Sequence, residues 1–205
     1  TSFSPIALPK KIDRHWTFQP PTAHRLTAPV TAGDLVFVGD DAGVLRALDS
    51  ASGKPRWQNH LAGAMFAAPA VWEGRIYAGA GDGRVYAFEA ATGRRLWTFR
   101  AAPAERWIPV FGKLLSTWPV AGGVVVDRGV LYTAAGIAHY DGTHVYALDA
   151  TTGKIKWHND SSGALSKQVR NGISLQGELS LREGALCFPG GSVYQTARYD
   201  LKTGA

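Results

Sequence analysis

Short runs of alternating apolar and polar residues recur along the chain, each bounded by a glycine-containing turn. The clearest are Val44-Leu45-Arg46-Ala47-Leu48-Asp49, Val85-Tyr86-Ala87-Phe88-Glu89 and Val145-Tyr146-Ala147-Leu148-Asp149. A period of two puts successive side chains on opposite faces of a pleated strand; a helix would need an apolar period near 3.6, and no segment shows one. All three runs continue in one pattern, Ala-x-Asp/Glu-x-x-Ser/Thr-Gly-x-x-x-Trp, which ends at Trp57, Trp97 and Trp157. A fourth copy, Tyr199-Asp200-Leu201-Lys202-Thr203-Gly204-Ala205, stops before any tryptophan.

The pattern has a physical reading. Asp49, Glu89 and Asp149 end a strand, where a carboxylate accepts hydrogen bonds from the turn's backbone amides. Gly53, Gly93 and Gly153 supply the positive φ of the turn. The next strand then presents tryptophan as a flat anchor for a neighbouring layer. Upstream, each unit has a second turn, at Gly33, Gly74, Gly129 and Gly184, between two further apolar runs. Each unit therefore holds about four short strands. Trp57 and Trp97 lie 40 positions apart, close to the roughly 40–45-residue period of a four-stranded propeller blade. The predicted fold is all-β: a β-propeller of four-stranded antiparallel blades, about four of them visible.

These motifs resemble the propeller repeat of the pyrroloquinoline-quinone (PQQ) type, whose hallmark is a tryptophan-docking motif. The resemblance runs from about Leu26 to Ala205 and implies that Trp57, Trp97 and Trp157 tie each blade to the next. The expected blades span 26–63, 64–100, 118–160 and 173–205, with an insertion at 101–117. Residues 1–25 form an N-terminal segment in which Ile12-Asp13-Arg14-His15-Trp16-Thr17-Phe18 reads as an outer strand without its own turn, Trp16 standing in the motif place. Two arrangements stay open. The strand around Trp16 completes the last blade and closes a four-bladed ring, or the chain is a segment of a larger propeller. The second is favoured, because the family usually has more than four blades and the stop at Ala205 falls inside a motif. A segment would pair with another copy or with the missing blades of a parent chain.

Composition changes this picture little. The net charge of +6 comes from cations spread along the chain, which reads as solvated edges and loops; no nucleic-acid partner is expected. Cys187 is the single cysteine, so no internal disulfide forms, and its apolar neighbours predict a buried, inert thiol. No apolar run reaches the ~18 residues of a membrane span.

Candidate chemistry sits where the repeat is interrupted. The insertion carries Arg106, Trp107, Phe111, Lys113 and Trp118, cations beside aromatic faces that suit an anionic, sugar-like or quinone-like ligand; the alternative is a loop that caps the core. The stretch from Gly136 to His144 holds His139, Tyr140, Asp141 and His144. Its spacing fits no standard zinc motif, and a hairpin turn at Asp141-Gly142 accounts for it, so no metal is expected. The connection from Ser161 to Ser174 carries Arg170 and Asn171, which would line one polar pocket with Arg106 if both loops share a face. No catalytic residue is assigned.

The resemblance implies two kinds of function. Its family includes alcohol and sugar dehydrogenases that use PQQ and calcium, and a non-catalytic outer-membrane assembly lipoprotein; both imply an extracytoplasmic location. The adjacent cysteines of many quinone-dependent alcohol dehydrogenases are absent, and neither calcium ligands nor a catalytic base can be matched. The expected function is a non-catalytic scaffold without a cofactor that binds a protein, a glycan or a small ligand. The alternative is part of a PQQ- and calcium-dependent alcohol or sugar dehydrogenase.

Overall fold

A computed structural model describes residues 13–110, 112–138, 141–163, 172–191 and 194–205. Four antiparallel sheets follow one another in chain order. The first contains β1 (Val30–Ala32), β2 (Leu35–Val38), β3 (Val44–Asp49) and β4 (Pro55–His60). The second contains β5 (Ala70–Trp72), β6 (Arg75–Gly79), β7 (Arg84–Glu89) and β8 (Arg95–Arg100). A separate hairpin, β9 (Trp107–Val110) and β10 (Lys113–Ser116), precedes the third sheet. That sheet contains β11 (Val124–Asp127), β12 (Val130–Ala135), β13 (His144–Asp149) and β14 (Ile155–Asn159). The fourth has three strands among the described residues: β15 (Ser180–Arg182), β16 (Ala185–Phe188) and β17 (Ala197–Asp200).

The sheets are propeller blades, and they do not close into a ring. Residues 13–25 form no strand, so the segment around Trp16 does not complete the fourth blade. The second and third strands of the first three blades are largely buried, β17 of the fourth alternates between buried and exposed residues, and the outer strands β4, β8 and β14 alternate between exposed and half-buried positions.

The core lies between the blades. Phe37, Leu45 and Ala47 of the first pack against Ile76, Ala78, Tyr86 and Phe88 of the second. Tyr77, Val85 and Ala87 pack against Leu131, Tyr146 and Leu148 of the third. Tyr132, Val145 and Ala147 pack against Leu186, Phe188 and Tyr199 of the fourth. Each fully buried large apolar side chain contributes roughly 1.5–3 kcal/mol of transfer free energy.

The repeated alanine has a packing role. Register places Ala47 between Phe37 and Trp57, Ala87 between Tyr77 and Trp97, and Ala147 between Tyr132 and Trp157. Its small side chain lets the flanking rings lean together, with centroids 5.8, 5.8 and 6.0 Å apart. The pairing with the outer strand shifts register just after each alanine.

Docking then repeats four times. The indole N–H of Trp57 donates to Ala90 O (2.9 Å), that of Trp97 to Ala150 O (3.2 Å), and that of Trp157 to Leu201 O (2.9 Å). Trp16 does the same to Ser50 O at 2.9 Å. Each acceptor directly follows the acidic residue of the next motif. Each indole also covers that motif's glycine so closely that a Cβ there would lie 2.5–2.9 Å from the ring, at Gly53, Gly93, Gly153 and Gly204.

Candidate functional site

An antiparallel meander puts its turns at two ends. At one end lie the turns into the outer strands, which carry the docking motif. Asp49 Oδ1 accepts from Ser52 N (2.8 Å) and Ser52 Oγ (2.7 Å). Asp149 Oδ1 accepts from Thr152 N and Oγ1, both at 2.9 Å. Asp200 Oδ1 accepts from Lys202 N and Thr203 N, also at 2.9 Å. These bonds hold the carboxyls below their ordinary range, with the Ser52 hydroxyl and then the Arg56 guanidinium acting on Asp49, and the Thr152 hydroxyl on Asp149. In Glu89 the Thr92 hydroxyl and then Arg94 have the same effect. The acidic residues fix turns and are not displayed toward a ligand.

The other end collects the β2–β3, β6–β7 and β12–β13 turns and the connections between blades, where the sequence placed its candidates. Asp40 is fully buried and accepts from Ala42 N and Val44 N (both 2.9 Å) and from the Arg46 guanidinium at 2.6 Å. Asp82 accepts from Arg84 N at 3.1 Å and from the Tyr86 hydroxyl; burial raises its pKa. Both carboxylates turn inward onto their own hairpins.

The insertion folds as the β9–β10 hairpin and bridges three blades. The Arg106 guanidinium lies 4.7 Å from the Trp118 ring centroid, donates through Nε to Thr117 Oγ1 (2.9 Å), and pairs with the Asp141 carboxylate. The Trp118 indole donates to Asp141 O at 2.7 Å, joining the insertion to the third blade. Ser116 N donates to Gly81 O (2.8 Å) in the second. Lys113 Nζ reaches Asp41 O and Oδ2 in the first, each at 3.0 Å, and holds the Asp41 carboxyl below its ordinary range. Arg106 and Lys113 thus come together on one end, each against a carboxylate of this chain.

The hairpin has an inner and an outer side. Pairing of Trp107 with Ser116 and of Pro109 with Leu114 puts Trp107, Pro109 and Leu114 on one face. That face looks outward: Trp107 is 39% and Leu114 68% exposed. Phe111, His139, Tyr140, Arg170 and Asn171 lie outside the described residues. The flanks of the connection that holds Arg170 and Asn171 return to this end, where Leu175 N donates to Gly136 O (3.0 Å) and Thr143 Oγ1 to Ile173 O (2.6 Å).

Residue type alone does not announce the partnerships of Asp41, Asp141 and His158. Asp41 and Asp141 are the acceptors for Lys113 and Arg106. His158 forms an aromatic column with Tyr146 (centroids 4.1 Å, parallel) and His144, whose Nδ1 lies 3.2 Å from His158 Nε2. The signal for the column was available, because Ala147 opposite Trp157 sets Tyr146 opposite His158. Burial lowers the pKa of both imidazoles, and His158 lowers that of His144 further.

Calcium takes 6–8 oxygen ligands. Among the described residues no three His, Cys, Asp or Glu side chains converge on one point, and the buried carboxylates Asp40 and Asp82 are satisfied by their own turns. No helix among the described residues is long and apolar enough to cross a membrane.

Known proteins share this architecture. The chain is 29% identical over 141 residues to the dehydrogenase subunit of a quinone alcohol dehydrogenase from Acetobacter aceti, a match covering 63% of the chain and 18% of that protein. It is 25% identical over 142 residues to the outer membrane protein assembly factor BamB of Nitrosomonas eutropha, covering 69% of the chain and 31% of that protein. The crystal structure of BamB from Moraxella catarrhalis superposes with a TM-score of 0.62 at 22% identity, over 86% of this chain and 45% of that one. The chain thus spans less than half the length of each. A family profile described as outer membrane protein assembly factor BamB matches residues 13–108 and again 104–204. With that match along nearly its whole length, the chain belongs to the PQQ-like propeller-repeat family of BamB.

Proposed function

We propose that the chain is a non-catalytic, extracytoplasmic propeller scaffold and that the end carrying the β9–β10 hairpin docks a protein partner. The observation that carries this reading is the hairpin's construction. Its cations Arg106 and Lys113 face carboxylates of the same chain, while Trp107, Pro109 and Leu114 look outward. Ion pairs to the first and third blades and the backbone bond from Ser116 N to Gly81 O tie the hairpin to the blades, and its outward tryptophan is of a residue type enriched at protein-docking hot spots. The relatedness to an outer membrane protein assembly factor supports the extracytoplasmic setting and a protein partner. Glycans and small ligands remain in the class of molecules such an aromatic face would accept.

A second reading is supported by the identity to the quinone alcohol dehydrogenase subunit: a portion of a PQQ- and calcium-dependent dehydrogenase. Titration with PQQ, with and without calcium, followed by tryptophan emission, separates the two. The scaffold reading expects no saturable quenching; saturable, calcium-dependent quenching would replace it with the dehydrogenase reading.

A further inference from the structure

The joint between the second and third blades is fastened differently from its neighbours. In the joints on either side, an asparagine two residues after the docking tryptophan ties the outer strand to the next turn. Asn59 Nδ2 donates to Gly93 O and Asn159 Nδ2 to Gly204 O, each at 2.7 Å. After Trp97 that place holds Phe99, which has no amide to donate. Its ring meets Tyr146 edge to face instead, with centroids 5.0 Å apart, and the Tyr146 hydroxyl donates to Ala101 O at 3.0 Å. An aromatic contact stands where the neighbouring joints have a hydrogen bond, and two histidines continue it.

His158 lies parallel on Tyr146 and is followed by His144. Between the two imidazoles the centroids are 5.4 Å apart, but His144 Nδ1 and His158 Nε2 only 3.2 Å, so the rings meet nitrogen to nitrogen. Beyond His144 stands Trp118, edge to face at 6.5 Å, whose indole donates to Asp141 O. The histidine pair therefore links the second blade, the third blade and the insertion. Its chemistry limits the charge it can carry. A neutral imidazole has one N–H and one bare nitrogen, whereas an imidazolium has two N–H groups and accepts nothing. Facing nitrogens can bond while at least one ring is neutral. With both rings protonated, two N–H groups are set against each other.

We propose that this pair is an acid-sensitive latch: protonation of both imidazoles parts His144 from His158 and frees Trp118 and the insertion from the joint. Such a latch acts within the chain, whatever the outward face of the hairpin binds. The surrounding charges favour its opening. Among the described residues, Asp160 of the same hairpin is the acid that acts on both rings. Arg100 of the second blade acts on Tyr146 at one end of the column, and Arg106 lies over Trp118 at the other. The Asp141 carboxylate is already taken by Arg106. A second positive charge is thus met by cations at both ends. His158 is exposed, so solvent protons reach the pair; His144 is half-buried, and that burial resists its charging.

Solvent exchange of the indole N–H groups, resolved by NMR on the whole chain, tests the latch. The Trp118 indole is compared with that of Trp57, which docks one joint away on Ala90 O. Acidity changes the intrinsic exchange of both indoles alike, so their ratio reads the latch. The window runs from about pH 7.5 to about pH 4.5, above the ordinary carboxylate range. Across it, Trp118 exchange should rise about tenfold or more relative to Trp57. His158→Gln cannot take the second charge and should hold the ratio constant, as should His144→Gln; a variant is read once it melts as the parent does near pH 7.5. A constant ratio in the parent chain would overturn the proposal. So would a rise that persists in a folded glutamine variant, since another acid group such as Asp82, whose pKa burial raises, would then be responsible.

Discussion

The two ends of the blades are built on different rules. At the docking end the same arrangement recurs four times: an acidic residue caps the turn, and an indole from the preceding segment covers its glycine and donates to the carbonyl after the acid. At the opposite end the side-chain contacts among the described residues differ from blade to blade. Asp40 takes a buried arginine, Asp82 a tyrosine hydroxyl, and the third blade carries the Arg106–Trp118–Asp141 knot and a histidine column. The first end couples blade to blade and tolerates little change; the second is where a rigid scaffold carries variation and a binding surface.

That contrast can be broken at several strengths. Trp97→Ala should be the most costly change at the docking end, about 3–5 kcal/mol by denaturant unfolding, since an aromatic between two blades is lost. Asp40→Ala should rival it at the other end, also about 3–5 kcal/mol, because Arg46 is 6% exposed and would be left buried without its carboxylate. Arg106→Ala should cost far less, about 0–1 kcal/mol, as its guanidinium is half exposed. The same holds for Lys113→Ala, and comparable losses for these two and for Trp97→Ala would erase the distinction.

Acidity sharpens the same comparison. His144 and His158 titrate below their ordinary value when folded, so between that folded value and about 6.5 the unfolded chain binds more protons. Their contribution is complete above pH ~6.5 and is lost as pH falls through the lowered values; Asp160 opposes the shift in both. The docking carboxylates are also depressed, and their contribution is lost only at more acid pH, below their ordinary range near 4. Melting temperature against pH should thus show two steps, and His158→Gln should flatten the one nearer neutrality while leaving the acid one.

The blades were legible in the sequence because their physics is local and repeated. A period of two, a capping acid, a turn glycine and a tryptophan recur often enough to exclude other folds. The loop chemistry was less legible. Arg106 and Lys113 read as ligand-facing cations of the insertion, yet each has a carboxylate partner, Asp141 or Asp41, in another blade, and nothing local announces an ion pair across 35 or 72 positions. Trp16 was legible by motif but not by partner: its residues read as an outer strand, while its place, on the turn of the first blade, depends on which end of the blade series it meets.

The most direct measurement compares two glycines in one blade. Gly74 and Gly93 have nearly the same backbone, with φ of 71° and 74°. A Cβ at Gly74 would meet nothing within 4 Å, whereas one at Gly93 would lie 2.7 Å from the Trp57 ring. If covered turns couple the blades, Gly74→Ala should cost only the left-handed strain of roughly 1–2 kcal/mol. Gly93→Ala should cost about 1–3 kcal/mol more in equilibrium unfolding, from overpacking against the indole. Equal losses for the two would contradict the account.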